Sequence, residues 1–376
     1  MTEKEIGELR RRFKRDKSNI SRVRGCCVNE NREIISQFDQ SLALTSQEEA
    51  EKILGLLRKT LSGTVDKNLL DISFDTQQVV DGEEHHLLMA LRDSKLQDQA
   101  AVEALYQRIV QSLDIQGNYL ILLAHDAYDV PYRSKDGERQ DDASDQVFSY
   151  IVCTICPMKL TKEALSYYVQ ESRFGSVPAD WVVAAPEVGF LFPAFDDRCA
   201  NLYDALYYTR DTAGNHPELA EAVFRQAVPM PAAEQKETFQ TILTDTLGEE
   251  SSYEVVQAVH GQLREMIEEH KANKEDAPLT VSKNQVRRVL TDCGVSDFHV
   301  EAFEARYDAQ FGPETDLSPR NLVDTARTEV KTPDVTIQVN PDRGDLVETR
   351  VIDGARYILI RAEEGVQVNG VDVRIS

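Results

Sequence analysis

Four stretches between residues 119 and 209 decide what this chain can become: YLILLAHDAYDV, FSYIVCTIC, WVVAAPEVGFLFPAF and LYDALYYTR. Each is dense in β-branched and aromatic residues, which suit a pleated surface, and each is bounded by turn formers. Together they predict three to five strands in one antiparallel or mixed sheet. Such a sheet needs apolar cover, and two helical patterns supply it. Residues 46–62 place Ala50, Ile53, Leu54, Leu57 and Leu61 on one stripe. That helix is opened by a Thr45-x-x-Glu48 or Ser46-x-x-Glu49 capping box and stopped by Gly63. Residues 98–114 place Val102, Leu105, Ile109 and Leu113 in the same way. Both helices are expected on one face of the sheet.

The flanking sequence completes an α+β reading. Ile6, Leu9 and Phe13 predict a helix over Glu3–Lys14, and ISRVRGCCVNENREIISQF reads as two strands about a polar turn. LLDISFDT is a short strand and residues 84–93 a helix. Residues 216–310 are helical: Phe239, Ile242, Leu243 and Leu247 form one stripe closed by Gly248, and Val255, Val259, Leu263 and Ile267 form another. KANKEDAPLT (271–280) reads as a linker, and Ser282-x-x-Gln285 opens a further short helix. The end is β, with Asp353-Gly354 and Asn369-Gly370 as hairpin turns, since both central residues of a type I′ turn need positive φ. The expected organisation is a mixed core over 1–215, a helical segment over 216–310 and a small all-β module of hairpins over 332–376.

Charge narrows the partners. The chain carries a formal charge of −23, which repels phosphate backbones. Residues 1–24 run the other way. Lys4, Arg10, Arg11, Arg12, Lys14, Arg15, Lys17, Arg22 and Arg24 face only Glu3, Glu5, Glu8 and Asp16, a local charge of +5. The segment Arg10–Arg24 is therefore the one place for weak nucleic-acid contact, and packing against the acidic body is its simpler use. The longest apolar runs fall far short of the roughly 20 residues that span a bilayer. The first residues contain no apolar signal core, and six cysteines without a dense framework suit a reducing compartment. A cytoplasmic location is the expectation.

Two motifs carry candidate chemistry. Cys153 and Cys156 form CTIC, followed at once by Pro157. Redox Cys-x-x-Cys pairs sit at helix N-termini, where the dipole lowers the thiol pKa. Here the run is strand-like, and residues three apart on a strand face opposite ways. Buried structural thiols, a metal pair and a redox pair are the three readings, the first favoured by that geometry. The second motif is AHDAYD, where His125, Asp126 and Asp129 follow the apolar YLILL. With Asp196 and Asp197 after GFLFPAF and an acidic loop at 134–145, they make a candidate carboxylate site for a metal or for acid–base work. No phosphate loop, dinucleotide fingerprint, nucleophile elbow or H-E-x-x-H motif is present. His85 and His86 are adjacent on a predicted helix and point about 100° apart, which disfavours joint ligation. No cofactor is implied.

ISRVRGCCVNENRE, RKTLSGT, NYLILLAHDAYDVP, DASDQVFSYIVCTICPMKL, GFLFPAFDDR, ALYYTR and the tail from TPDVTIQVNP to QVNGVDVRI bear a further likeness. Through them nearly the whole chain resembles an uncharacterised family of clostridial (Firmicutes) proteins, a domain of unknown function. The resemblance implies a cytoplasmic bacterial protein built as one inherited architecture, and it supplies no catalytic residue, cofactor or partner. The expected function is a non-enzymatic interaction or binding protein. A metal-dependent, hydrolase-like enzyme centred on His125, Asp126 and Asp129 is the alternative.

Overall fold

The computed structural model describes residues 1–133, 139–275, 277–362 and 365–374, with side chains described outside 132–145. Within the acidic stretch 134–145, residues 134–138 lie outside the described residues, and from Arg139 the backbone is strand rather than the expected loop. The chain divides into two compact units, Met1–Pro231 and Ala232–Ser376.

The first unit is built on one sheet. Its strands are β1 (Arg22–Val28), β2 (Ile34–Ser41), β3 (Leu69–Ser73), β4 (Tyr119–Arg133) and β5 (Arg139–Leu160). After them come β6 (Ala164–Tyr168), β7 (Arg173–Val177), β8 (Trp181–Val183), β9 (Val188–Phe192), β10 (Ala194–Asp196), β11 (Cys199–Asn201) and β12 (Asp204–Thr209). The main sheet runs β2-β1-β4-β5-β9-β12-β3, with β8 joined to the far end of β5. Every strand pairing in it is antiparallel. The long β4–β5 hairpin is its spine, paired from Tyr119↔Pro157 to Arg133↔Arg139. β5 runs straight through Pro157 to Leu160, so that proline does not end the strand as its ring would suggest. It sits at the first residue of β4, where the ladder hands over to β8.

Both faces of this sheet are covered, and this explains the unbroken apolar runs. A one-sided antiparallel sheet alternates apolar with polar, whereas burial on both sides makes every position apolar. Ile151, Cys153 and Ile155 of β5 pack into one cluster, and Tyr150, Val152 and Cys156 pack into the other. The first face is covered by α4 (Glu83–Asp93), α5 (Gln99–Ser112) and α6 (Pro217–Phe224) through Leu88, Leu105, Ile109, Val223 and Phe224. The second is covered by α1 (Glu3–Arg10) and α2 (Gln47–Lys59) through Ile6, Leu9, Leu54 and Leu57. The helices at 46–62 and 98–114 thus take opposite faces, not one, because an apolar stripe states that a helix packs and not on which side. α2 begins with the Ser46–Glu49 box: the Ser46 hydroxyl accepts from Glu49 N–H and the Glu49 carboxylate accepts from Ser46 N–H. The short α3 (Thr76–Asp81) leads into α4. α6 belongs to this unit's core, so the helical stretch that begins near 216 is divided between the units.

The second unit holds α7 (Ala232–Leu247), α8 (Tyr253–Asn273), α9 (Lys283–Asp292), α10 (Asp297–Phe311) and the single turn α11 (Pro319–Leu322). They close around Phe239, Leu247, Val259, Leu263, Leu290 and Phe303. Six strands follow, paired two by two. β13 (Thr328–Lys331) pairs β14 (Thr336–Val339), β15 (Val347–Ile352) pairs β16 (Ala355–Ile360), and β17 (Val366–Val368) pairs β18 (Val371–Val373), each as a separate hairpin. Asp353, Gly354, Asn369 and Gly370 all have positive φ, as the type I′ turns require.

Two glycines expose how differently the two units tolerate a methyl group. A Cβ on Gly189, in the buried β9, would stand 2.5 Å from the Cys153 carbonyl and 2.8 Å from the Thr60 methyl. A Cβ on Gly261, at an exposed position mid-way along helix α8, would meet nothing within 4 Å. Gly189→Ala is expected to destabilise by about 1–3 kcal/mol through overpacking. Gly261→Ala is expected to stabilise its unit by about 0.5–1 kcal/mol by removing backbone freedom from the unfolded chain. Urea denaturation of the two variants reads both signs.

Candidate functional site

Sequence order places His125 next to Asp126, and strand geometry separates them. Neighbouring residues of β4 point to opposite faces. Asp126 faces the side of α1 and α2 and is 1% exposed. Its Oδ1 accepts from the backbone N–H groups of Asn19 and Ala127, both at 2.9 Å. Its Oδ2 accepts from the Tyr150 hydroxyl at 2.9 Å and pairs with Arg12 Nε at 3.4 Å. The carboxylate is therefore filled by the chain that precedes the sheet, and it fastens residues 12–19 to the edge of the core. The Arg12 guanidinium also lies 4.2 Å over the ring of Tyr128. Burial, aided by the Asp126 charge, raises the Tyr150 phenol well above its usual range, so it stays a donor.

Other cations of the basic segment are spent in the same manner. Arg10 donates to the Leu61 carbonyl, Arg22 pairs with Asp39, and Arg24 donates to the Leu96 carbonyl. Glu8 of α1 accepts from the Tyr128 hydroxyl at 2.6 Å and from Arg198 at 2.7 Å. The segment is an internal strap along the sheet rather than a free arm.

His125 lies on the other face, where its Nε2 meets the Ser149 hydroxyl at 2.8 Å. Burial lowers its pKa against the pull of Asp126, and the charges of Lys95 and Arg92 add to the lowering. The imidazole is neutral at pH 7. Asp129 is exposed further along the same strand. Asp196 and Asp197 are exposed at the β10–β11 turn, whose Arg198 is tied to Glu8 of α1. That turn belongs with the face that Asp126 occupies, so the sheet stands between Asp126, Asp196 and Asp197 on one side and His125 on the other, while Asp129, four residues along β4, keeps to the His125 face. Among the described residues no group of three or more His, Cys, Asp or Glu side chains is placed to hold a metal ion. His85, with its Nε2 on the Leu202 carbonyl at 2.9 Å, is packed between Phe74 and Phe192, while His86 is bonded to the Val80 carbonyl.

Cys153 and Cys156 are split by the sheet as the three-residue spacing requires, one in each core cluster. Burial pushes the Cys156 thiol up to about 12 and raises Cys153 as well, so neither is a thiolate at neutral pH.

A cleft of about 290 Å³ that the motifs do not announce opens at the start of β1 beside the middle of β4, lined by Arg22, Arg24, Asp39, Lys95, Gln97 and His125. One signal for it is legible in retrospect. Arg22 and Arg24 are two apart on a strand and so share a face, the face of His125. Lys95 reaches the same place from the turn after α4, which no local pattern announces. A second, wider cleft of about 570 Å³ lies between the strap and α2, with Lys14, Arg15 and Arg58 facing Asp16 and Glu51.

One comparison with known proteins bears on this arrangement. A family model described as Domain of unknown function (DUF4317) matches residues 1–371. The chain belongs to that family. The match takes in the strap, the first unit and the second unit as far as Val371, the first residue of β18. No curated protein matches the chain.

Two outcomes follow from this geometry. Asp126→Ala leaves Arg12 and Tyr150 without their acceptor and is expected to cost about 3–5 kcal/mol, as for one broken partner of a buried pair. Limited trypsin digestion of that variant should open the strap at Lys14–Lys17 before the core is cut. In the native protein, thiol labelling should reach the exposed Cys293 first and the half-buried Cys27 and Cys199 more slowly. Cys26, Cys153 and Cys156 should react only after denaturant is added.

Proposed function

We propose that this chain is a non-enzymatic interaction protein of the bacterial cytoplasm, and that its contact element is the two-stranded arm of residues 158–183. The observation that carries this reading is the arm's exposed apolar surface. β5 leaves β4 at Pro157 and continues with β8, and β6 and β7 then form a hairpin that no third strand joins among the described residues. An isolated two-stranded ribbon is marginal in water. This one nonetheless exposes Leu160, Leu165, Tyr167, Phe174, Trp181 and Val182. Leu165, Tyr167 and Phe174 share one face, with the Tyr167 and Phe174 rings edge to face at 5.1 Å. On the other face the Arg173 guanidinium covers the Tyr168 ring, which itself lies against Gly175.

The partner that fits is a second copy of the chain. Two bodies of charge −23 repel each other over most of their surface. The arm is the exception: Lys159, Lys162 and Arg173 balance Glu163, Glu171 and Asp180. Two arms meeting face to face about a two-fold axis cover each other's aromatic surface.

Trp181 is the chain's single tryptophan, so its emission reports the arm directly. The expected result is a blue shift of that emission as protein concentration rises, with a doubling of mass in sedimentation velocity. Tyr167→Ser with Phe174→Ser should abolish both while leaving the circular dichroism of the body unchanged. A chain that stays monomeric, with constant Trp181 emission across the concentration range, overturns the reading.

A further inference from the structure

The cleft beside His125 has a character at odds with the rest of the molecule. On a chain of charge −23 it gathers three cations, Arg22, Arg24 and Lys95, around one carboxylate, Asp39. Its construction is specific. Arg24, 14% exposed, donates through Nη1 to the Leu96 carbonyl and through Nη2 to Gln99 Oε1. Its guanidinium is thereby fixed as part of the wall. The Leu96 side chain is buried in the core on this face. Between these two anchors the chain adopts a left-handed pair, Lys95 at φ 53° and Leu96 at φ 62°, at the turn that ends α4. Left-handed backbone is unfavourable for non-glycine residues, and two in succession persist only where the surroundings impose them. Here the buried Leu96 side chain and the Arg24 bond to its carbonyl impose them. The product is Lys95 held exposed at the cleft, with no carboxylate among the described residues within ion-pair distance. Arg22 adds a half-exposed guanidinium that spends its Nε on Asp39.

The remaining lining is uncharged hydrogen-bonding surface. Ser21 and Gln97 contribute donors, and the His125 ring, held by Ser149, presents a neutral imidazole. A cleft of about 290 Å³ suits a small ligand and has no room for a polymer strand. Clustered cations in a cleft favour a compact multivalent anion over chloride, and the Arg22 guanidinium, with only its Nε on Asp39, has its Nη groups left to match a phosphate fork.

We propose that this cleft is a binding site for a small phosphate monoester, with Lys95 and Arg22 gripping the phosphate, Arg24 fixing the wall, and Gln97 and His125 facing the organic part. The site is separate from the 158–183 arm and does not depend on it. Inorganic phosphate carries the shared chemistry, and ribose 5-phosphate and adenosine 5′-monophosphate distinguish a sugar phosphate from a nucleotide as its source.

The test is calorimetric titration of the full chain with each of the three probes, at ionic strength held constant with potassium chloride. Saturable one-to-one binding is expected, tightest for the ester whose body fits. Lys95→Ala and Arg22→Gln are each expected to weaken it at least tenfold. Both residues are exposed enough that neither change disturbs the core, and circular dichroism verifies folding. Lys162→Ala, on the arm, is the control and should leave binding unchanged. Absence of saturable binding for all three probes overturns the proposal. So does binding that survives Lys95→Ala and Arg22→Gln together, or that falls equally in the control.

Discussion

A sheet buried on both faces leaves its central strands no free side, and this constraint governs the first unit. β4 and β5 supply the spine, and each residue from Tyr150 to Cys156 is committed to one helical layer or the other. Even the polar Thr154 is absorbed, its hydroxyl bonded to that of Thr60 at 2.7 Å. Two places escape the double cover: the start of β1 beside His125 of β4, and the end of β5 where the arm begins. The cationic cleft and the aromatic arm lie at those two limits.

Much of this architecture is legible in the sequence, for identifiable reasons. The strands stand out because two-sided burial makes them unusually apolar. The capping boxes at Ser46 and Ser282 are read directly, since a short-range pattern has a short-range cause. The same holds for the turns at Asp353-Gly354 and Asn369-Gly370. The side of the sheet that a helix takes is long-range information, and the stripes of α2 and α5 do not contain it. The hairpin of β6 and β7 goes unseen because its turn lacks the usual chemistry. It closes through a short 3-10 turn and Ser172 at φ 51°, a left-handed position where glycine or asparagine would have been the signal.

The candidate site illustrates the same division. The alternation rule that splits Cys153 from Cys156 also splits His125 from Asp126, and both separations follow from strand geometry alone. That Asp126 is occupied by Asn19, Ala127, Tyr150 and Arg12 depends on the path of the strap, which no spacing reveals. Arg22 and Arg24 sit at legible positions on one strand face, yet their meeting with Lys95 rests on a backbone conformation that lysine and leucine rarely adopt. Local residues specify the pieces. Tertiary packing specifies which pieces face each other.

The order of strands has a consequence for how the protein is made. β3 lies at the edge of the sheet and pairs with β12, which follows every other described strand of the unit in sequence. β1 likewise waits for β4. A growing chain therefore carries the apolar LLDIS segment unpaired throughout the synthesis of β4 to β11. Distant pairings of this kind slow the search for the native state and prolong exposure to association with other chains. The sheet is complete only when residues 204–209 arrive and its first face only when α6 follows, so the vulnerable interval is set by topology rather than by the stability of the finished fold.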